Sequence, residues 1–182
     1  MSLNISFYSV RGPRKSTGQW PLALQCLKVR IMVTKLVQSP KIDARYACFR
    51  LKIRKSKIHR FGVYADEPIP ARRKVMEYTG ERISRRESKR RASGKVTYLF
   101  SVDKYWDLDG AVGGSGAEMV NHSCEPNLRA SIVHGHIIYF SKRLIKPGEE
   151  LTLDYCFSDD VERIRCVCGA KSCRGEINFK GK

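Results

Sequence analysis

The sequence has no long run of apolar residues. A helix that spans a membrane needs about 20 consecutive, mostly apolar residues, and the longest apolar stretch, residues 22–37, is interrupted by lysine, arginine, glutamine and threonine. The first twenty residues also lack the continuous apolar core of a secretory signal. We therefore expect an intracellular protein with no membrane partner.

Acidic residues are scarce in one half of the chain. Residues 1–100 contain 24 Lys and Arg but only 6 Asp and Glu, whereas residues 101–182 contain 11 and 12, so the net charge of +17 comes from the first half. A field of this sign attracts phosphate polymers. We therefore expect a nucleic-acid contact in the first half, with an ordinary solvated surface as the alternative. The residues proposed for it are Arg50, Lys52, Arg54, Arg82, Arg85, Arg86, Lys89, Arg90 and Arg91.

The second half is nearly neutral and carries its own acidic residues. Its carboxylates are predicted to line a groove for a basic peptide. They are Asp103, Asp107, Asp109, Asp159, Asp160 and Glu162.

The seven cysteines do not indicate a disulfide framework, because their number is odd and the sequence has no secretory context. Cys166, Cys168 and Cys173 lie within eight residues of each other. A structural zinc ion takes four thiolate or imidazole ligands, so the spacing predicts a metal site that needs one more ligand. From spacing alone the fourth ligand is open among several residues, namely Cys124, Cys156, Cys48, Cys26 and the histidines.

Long helical segments and internal repeats are also missing, and short segments of alternating polarity take their place. Apolar and basic residues alternate from Phe49 to Arg54, which is typical of a strand with one buried face. Ser84 followed by Glu87 is typical of a capped short helix, and His134-Gly135-His136 is typical of a hairpin turn. Further strands are predicted at 62–65, 74–78, 96–102, 106–108, 128–133, 137–141 and 151–155. The chain is therefore predicted to be mainly β.

Three motifs follow one another in the second half. They are Asn121-His122-Ser123-Cys124-Glu125-Pro126-Asn127, then Gly148-Glu149-Glu150-Leu151-Thr152-Leu153-Asp154-Tyr155, then the three-cysteine segment. In this order and spacing they resemble the SET-domain protein lysine methyltransferases that carry a cysteine-rich post-SET tail. The resemblance implies several short-stranded sheets, few short helices, a knot-like C-terminal core and a zinc-stapled tail. It also implies Cys124 as the fourth zinc ligand, beside Cys166, Cys168 and Cys173.

The same resemblance implies S-adenosylmethionine as the cofactor. It places Asn121 and His122 in the cofactor site, together with the segment Arg60-Phe61-Gly62 between the first strands. The family has Gly-x-Gly in that segment, and here Arg60 replaces the first glycine. We therefore expect a negative φ at Arg60. The family also has an Arg-Phe-Ile-like run before Asn121, and here the run is Glu118-Met119-Val120.

Tyrosines supply the expected catalytic groups. The resemblance implies Tyr155 as the principal catalytic hydroxyl, Tyr78 as an orienting group and Tyr98 as a further wall of a lysine channel. Leu153 occupies a position that is often Phe or Tyr in the family and that influences the number of methyl groups added. Because leucine leaves room there, we expect higher methylation states to be reachable.

The expected organisation is an N-terminal extension (1–46, weakly structured), a SET domain (47–157) and a post-SET zinc-binding segment (158–182). The implied reaction is transfer of methyl groups to a lysine of a protein substrate, such as a histone or another basic nucleic-acid-associated protein. The expected location is nuclear chromatin in a eukaryote or the cytoplasm in a bacterium. The alternative is a basic nucleic-acid-binding or zinc-stapled interaction module with a vestigial methyltransferase site.

Overall fold

The computed structural model describes residues 40–92, 97–157 and 163–178. The stretch 22–37, Cys26 and the three acidic residues of segment 158–162 lie outside these ranges. Within the predicted N-terminal extension, residues 40–46 contact the domain, since the Asp43 N–H donates to the Ser115 carbonyl at 2.9 Å and Ile42 packs against the core. The predicted domain boundaries stay predictions.

Short strands dominate the described residues, which confirms the mainly β prediction. The strands are β1 (Leu51–Lys55), β2 (Phe61–Ala65), β3 (Lys74–Tyr78), β4 (Glu81–Ser84), β5 (Leu99–Ser101), β6 (Trp106–Asp109), β7 (Asn121–His122), β8 (Leu128–Val133), β9 (His136–Ser141) and β10 (Thr152–Leu153). The helix α1 covers Arg85–Arg91, and 3-10 turns cover Ala44–Tyr46 and Ala117–Met119. The strands form four small sheets, ordered β1-β2, β3-β9-β8, β4-β6-β5 and β10-β7.

Local chemistry explains two of these elements. The Ser84 hydroxyl accepts the Glu87 N–H at 3.3 Å and caps the first turn of α1, as predicted. Between β8 and β9, His134 has φ 49° and Gly135 has φ 82°. Two successive positive φ values are the geometry of a tight hairpin turn, so the predicted hairpin is confirmed, with His136 already in the strand.

The core lies where the sheets converge. Val63 of β2, Met76 of β3 and Ile137 of β9 have no exposed surface, and Leu151 beside β10 is equally buried. On β1 the alternation is also as predicted, because Leu51 and Ile53 are half-buried while Lys52 and Arg54 are exposed. Burial of apolar surface is the main stabilising contribution to such a core.

One parallel pairing brings distant parts of the chain together. Strand β7 pairs with β10 so that Asn121 lies opposite Thr152 and His122 lies opposite Leu153. Asn127 extends the link, since its amide donates to the Glu150 carbonyl at 2.8 Å and its Oδ1 accepts the Thr152 N–H at 2.9 Å. The first two motifs therefore form one unit, with β2 beside them through the Tyr64–Glu150 bridge.

Most of the predicted basic patch is neutralised within the molecule. Arg85 pairs with the buried Asp107 at 2.9 Å, and Arg91 pairs with Asp109 at 2.8 Å. Ion pairs also engage Arg50, Lys52, Arg82 and Arg90. The prediction that Asp107 and Asp109 line a peptide groove is wrong, because these carboxylates are buried against Arg85 and Arg91 of α1. For Asp103, which is partly exposed and pairs with Arg82 of β4 at 3.9 Å, it stays a prediction.

No helix in the described ranges is long and apolar enough to cross a membrane, and α1 has only 7 residues.

Candidate functional site

Four cysteine sulfurs converge at the start of the tail. The Sγ atoms of Cys124, Cys166, Cys168 and Cys173 all lie within 4.8 Å of one another. Cys124 and Cys166 are separated by 3.8 Å, which is close to the spacing of about 3.8 Å expected for two sulfurs on a tetrahedral zinc with Zn–S near 2.3 Å. The cluster brings together all four predicted ligands.

Backbone donors around the sulfurs suit thiolates. The Arg174 N–H donates to Cys124 Sγ at 3.4 Å, and the Cys124 N–H donates to Cys168 Sγ at 3.5 Å. Burial alone would raise the pKa of Cys168, but hydrogen bonds from the backbone of Cys124 and Ala170 and from the Cys166 and Cys173 side chains outweigh it and lower the pKa to about 6. Burial raises the pKa of Cys124 and of Cys166. Thiolates are the form that binds zinc, so these donors and this spacing fit a structural zinc ion.

The rival thiols lie outside the cluster. Cys156 is half-buried and its N–H donates to Asp154 at 3.2 Å, and burial raises its pKa to about 11. Cys48 is exposed beside β1. Neither belongs to the described group of thiols that could share an ion, so tertiary structure selects Cys124.

A second attachment of the tail does not depend on sulfur. The Arg174 guanidinium forms a bidentate pair with Asp154, with N–O distances of 2.7 and 2.9 Å, and it also donates to the Ile177 carbonyl at 3.1 Å. Burial alone would raise the pKa of Asp154, yet hydrogen bonds from Arg174 and the Cys156 N–H hold it below its ordinary value. Asp154 was part of a predicted motif, but its role was not predicted from sequence.

His122 joins the cysteine cluster to Tyr155. Its ring is buried, with Nδ1 accepting the Tyr155 N–H at 3.2 Å and Nε2 lying 3.4 Å from Cys124 Sγ. Burial lowers the pKa of His122 to about 4, so the ring is neutral near pH 7 with its proton on Nε2. The predicted cofactor residue therefore has both ring nitrogens engaged with protein atoms.

Asn121 lies on the other side of the same strand, at the β1–β2 connection. Its amide nitrogen lies 2.9 Å from the Phe61 carbonyl oxygen, 3.3 Å from the His59 carbonyl oxygen and 2.8 Å from Glu150 Oε1. Asn121 is 6 % exposed. The predicted cofactor residues Asn121, Phe61 and Gly62 are thus neighbours in space, and Glu150 joins them.

The glycine of this segment has a specific steric role. A Cβ on Gly62 would overlap Oε1 and Cδ of Glu150 and would lie 3.1 Å from the Asn121 amide nitrogen. The expected negative φ of Arg60 is wrong, because Arg60 has φ 39°. This left-handed backbone is costly for a side chain, and it lets the Arg60 carbonyl accept the Ser56 N–H at 3.1 Å in the tight β1–β2 connection.

The second departure from the family pattern is local. The Glu118 carboxylate accepts the Gly116 N–H at 2.8 Å and so turns back onto its own loop. Burial raises the pKa of Glu118. A Cβ on Gly114 would approach this carboxyl group at 2.6 Å, so the glycine-rich loop fits closely around it.

Two predicted catalytic tyrosines direct their hydroxyl protons at backbone carbonyls. Tyr155 donates to the Val120 carbonyl at 2.8 Å, and Tyr78 donates to the Tyr98 carbonyl at 2.5 Å. Burial raises the pKa of both phenols above the ordinary range. Both groups are therefore neutral at physiological pH, and each keeps oxygen lone pairs that can accept a hydrogen bond from a substrate amine.

Tyr98 and one unpredicted tyrosine complete the group. Tyr98 is half-buried and lies close enough to Tyr155 to raise the pKa of that phenol, although burial is the larger cause. Tyr139 on β9 is 2 % exposed and stands 6.3 Å from Tyr78 between ring centroids. Sequence reasoning missed Tyr139 because an aromatic residue in a strand normally indicates packing alone.

Two other partners were also missed. Ser56 and Tyr64 both donate hydroxyl groups to the Glu150 carboxylate, at 2.8 Å each. Neither is near Glu150 in sequence, so spacing carried no signal for them. Glu150 itself lies within the motif Gly148–Tyr155, and membership of that motif was the only indication from sequence that it belongs to the site.

Comparisons with known proteins identify the family. The sequence model of the SET domain matches residues 60–156. The histone-lysine N-methyltransferase set-2 of Caenorhabditis elegans is 38 % identical over 138 residues, covering 70 % of this chain and 9 % of that protein. An H3 lysine-4 specific histone-lysine N-methyltransferase of Candida albicans is 38 % identical over 137 residues, covering 68 % of this chain and 13 % of that protein.

A solved structure shares the fold. SUVH6 of Arabidopsis thaliana, in complex with SAM, superposes with a TM-score of 0.63 at 27 % identity, over 74 % of this chain and 34 % of that one. The chain thus spans a small part of the length of these relatives. The solved neighbour binds SAM, and the convergent polar groups around Asn121 fit a ligand with an amino-acid moiety.

Proposed function

Because the chain belongs to the SET-domain family, we propose that it transfers methyl groups from S-adenosylmethionine to the ε-amine of a lysine in a protein substrate. The observation that carries the proposal is the joint placement of Asn121, His122 and Tyr155. The parallel pair β7–β10 holds the buried Asn121 and His122, and the N–H of the half-buried Tyr155, two residues after β10, donates to His122 Nδ1. The cysteine cluster lies against the same unit through Cys124.

For this reaction the protein has mainly to orient the substrate lysine ε-amine and to favour its neutral form. Lysine is almost fully charged at neutral pH, since its free pKa is about 10.4, and an apolar channel lowers that value by desolvation. Bound S-adenosylmethionine supplies an activated methyl group on a sulfonium. The amine nitrogen forms the new bond to the methyl carbon, the carbon–sulfur bond breaks with its electron pair returning to sulfur, and the spare proton leaves to solvent.

The tyrosines hold the amine during this step. Tyr155 and Tyr78 donate their hydroxyl protons to the Val120 and Tyr98 carbonyls, so each phenol oxygen keeps lone pairs that would accept a hydrogen bond from the amine. An acceptor there aligns the lone pair of the neutral amine toward the methyl carbon. Positioning of this kind is the main catalytic contribution we assign to the protein.

The test is methyl transfer by the purified chain and by Tyr155→Phe. With labelled cofactor and core histones, we expect transfer by the wild type and a loss of about 10²- to 10³-fold in kcat for the variant, a typical cost of removing one positioned hydrogen-bonding group. Affinity for S-adenosylhomocysteine should stay unchanged. Tyr105→Phe, at a residue 62 % exposed, is the matched control. Absence of transfer by the wild type, or full activity of Tyr155→Phe, would contradict the proposal.

A histone lysine in nuclear chromatin is the proposed substrate. The names of the relatives support it, and one is H3 lysine-4 specific. Histone H3 peptides that keep this lysine, or carry arginine in its place, test the target directly. If the arginine peptide is labelled as fast as the lysine peptide, that lysine is not the target.

The number of methyl groups is proposed from Leu153. Leu153 is 3 % exposed on β10 and offers no hydroxyl group to the channel. We expect di- and trimethyl products by mass spectrometry, and a Leu153→Tyr variant restricted to fewer methyl groups. A wild type that yields only monomethyl lysine would overturn this expectation.

A nucleic-acid contact is proposed only for cations that lack an ion pair. In the described part of the basic patch these are Arg54, Arg86 and Lys89, since the other six have carboxylate partners. The contact is correspondingly weaker than the formal charge indicates.

A further inference from the structure

Glu150 differs from most carboxylates of the molecule. Within the ranges that the structure describes, most Asp and Glu side chains have a Lys, Arg or His group within 4.0 Å. Glu118, Glu125 and Glu150 do not. Glu125 is exposed, and burial favours the protonated form of Glu118 by raising its pKa. Glu150 is the remaining case, a half-buried carboxylate without a cation.

The partners of Glu150 are all neutral. Ser56 Oγ lies 2.8 and 3.0 Å from the two carboxylate oxygens, the Tyr64 hydroxyl donates to Oε2 at 2.8 Å and the Asn121 amide donates to Oε1 at 2.8 Å. A carboxylate has about four lone-pair positions, and these three groups supply three protons to it. One acceptor position therefore remains, and a partly buried anion is stabilised best by an opposite charge.

Backbone oxygens converge on the same place. The Phe61 and His59 carbonyl oxygens lie 2.9 and 3.3 Å from the Asn121 amide nitrogen, which also contacts Glu150. That amide has two protons for three acceptors. An ammonium group has three N–H donors and a positive charge, so it matches this set of oxygens. A sulfonium has no N–H donor and does not.

We propose that Glu150 binds the α-ammonium group of the cofactor's amino-acid moiety, with the Phe61 and His59 carbonyls as further acceptors. This assignment rests on the proposed methyltransferase function. Glu150 would then be a cofactor-binding residue, and Gly62 would be required because any side chain there displaces its carboxylate. Ser56 and Tyr64 hold the carboxylate in place.

The test compares ligands that differ by one group. Calorimetry measures the affinity of wild type, Glu150→Gln and Glu149→Gln for S-adenosylhomocysteine and for its analogue without the α-amino group. Glu149 is the matched control, because it is adjacent in sequence but pairs with Arg143 at 2.7 Å on the surface. Loss of a charge-assisted hydrogen bond predicts that Glu150→Gln lowers the affinity for S-adenosylhomocysteine by at least about tenfold. The affinity for the analogue without the α-amino group should not change.

The outcomes distinguish failure of the Glu150 assignment from failure of the proposed methyltransferase function. An equal loss for both ligands would make Glu150 a structural group and overturn the inference. If the wild type binds neither ligand, the proposed function itself fails. If the wild type binds and Glu150→Gln binds equally well, only the inference fails.

A second variant covers the case in which Glu150→Gln does not fold, as judged by its thermal midpoint and zinc content. Tyr64→Phe removes one donor to the carboxylate and keeps its charge. It should lower affinity for S-adenosylhomocysteine by a smaller factor, about twofold to tenfold for one neutral hydrogen bond. Affinity for the analogue without the amino group should stay the same, and an equal loss for both ligands would overturn the inference here too.

Discussion

Two clusters flank the strand pair β7–β10, and they are assembled in different ways. On one side, Cys124 meets three cysteines that lie close together in the tail. On the other side, Glu150 meets Ser56 and Tyr64 of the β1–β2 hairpin and Asn121 of β7. The first cluster joins soft ligands that suit a metal, and the second joins neutral donors around one charge.

The difference shows how each cluster is stabilised. Four thiolates together are unstable without a cation, so the metal side depends on an ion that ties folding of the tail to binding. The carboxylate side is held by hydrogen bonds of the folded domain and by the missing Cβ of Gly62. We therefore expect substitutions in the cysteine cluster mainly to lower stability, and substitutions around Glu150 mainly to lower cofactor affinity.

Removing a zinc ligand should have the largest effect. Cys124→Ala should abolish zinc in the purified protein and lower the thermal midpoint by about 10 °C, which at about 2–4 °C per kcal/mol corresponds to several kcal/mol. Cofactor affinity should fall with it, because Cys124 contacts His122. Metal content, melting and calorimetry measure the three effects. Cys156→Ala is the control and should change none of them, and zinc loss in the control would refute the assignment of Cys124.

Crowding the carboxylate side should cost binding more than stability. Gly62→Ala places a methyl group onto Glu150, so we expect a loss of at least about tenfold in affinity for S-adenosylhomocysteine and about 1–3 kcal/mol of overpacking. On a Glu150→Ala background the same substitution should cost much less, since the overlapping atoms are gone. Equal costs on both backgrounds would show that the clash lies elsewhere.

The Arg174–Asp154 pair tests whether the metal alone attaches the tail. Arg174→Lys keeps the charge but loses the bidentate geometry, and we expect a cost of about 1–2 kcal/mol with zinc content unchanged. Urea unfolding and metal analysis measure this, and limited proteolysis within 163–178 shows whether the tail loosens. A variant as stable as the wild type would assign the attachment to zinc alone.

The smallest expected effect is on DNA binding by the basic surface, because most of its cations are already paired with carboxylates. Arg86→Gln with Lys89→Gln should reduce the slope of log K against log salt for duplex DNA by about 1.8, at about 0.9 per phosphate contact. Arg90→Gln with Arg91→Gln removes the same formal charge from paired residues and should leave the slope unchanged. Fluorescence polarisation across a salt series measures both. Equal slopes for the two double variants would mean that pairing does not decide which cations contact phosphate.

Elements with a short-range pattern were predictable. The strand that begins at Leu51, the cap at Ser84 and the turn at His134 depend on alternation or on residues three apart. The φ of Arg60 was predicted with the wrong sign, because the tight connection to Ser56 imposes it from outside the residue. The acidic groove failed for a similar reason, since α1 places Arg85 and Arg91 over Asp107 and Asp109.

The sequence alone determined the family motifs, the mainly β composition and three of the four proposed metal ligands. These features reside in neighbouring residues, where spacing restricts geometry directly. Tertiary structure decided which thiol lies beside the three tail cysteines, Cys124 and not Cys156. It also decided the partners of His122 and the set of oxygens around Glu150. Those contacts join residues up to 94 positions apart, as for Ser56 and Glu150. For the groups around Glu150, the pairing of β7 with β10 and the packing of β2 against β7 bring them within hydrogen-bonding distance.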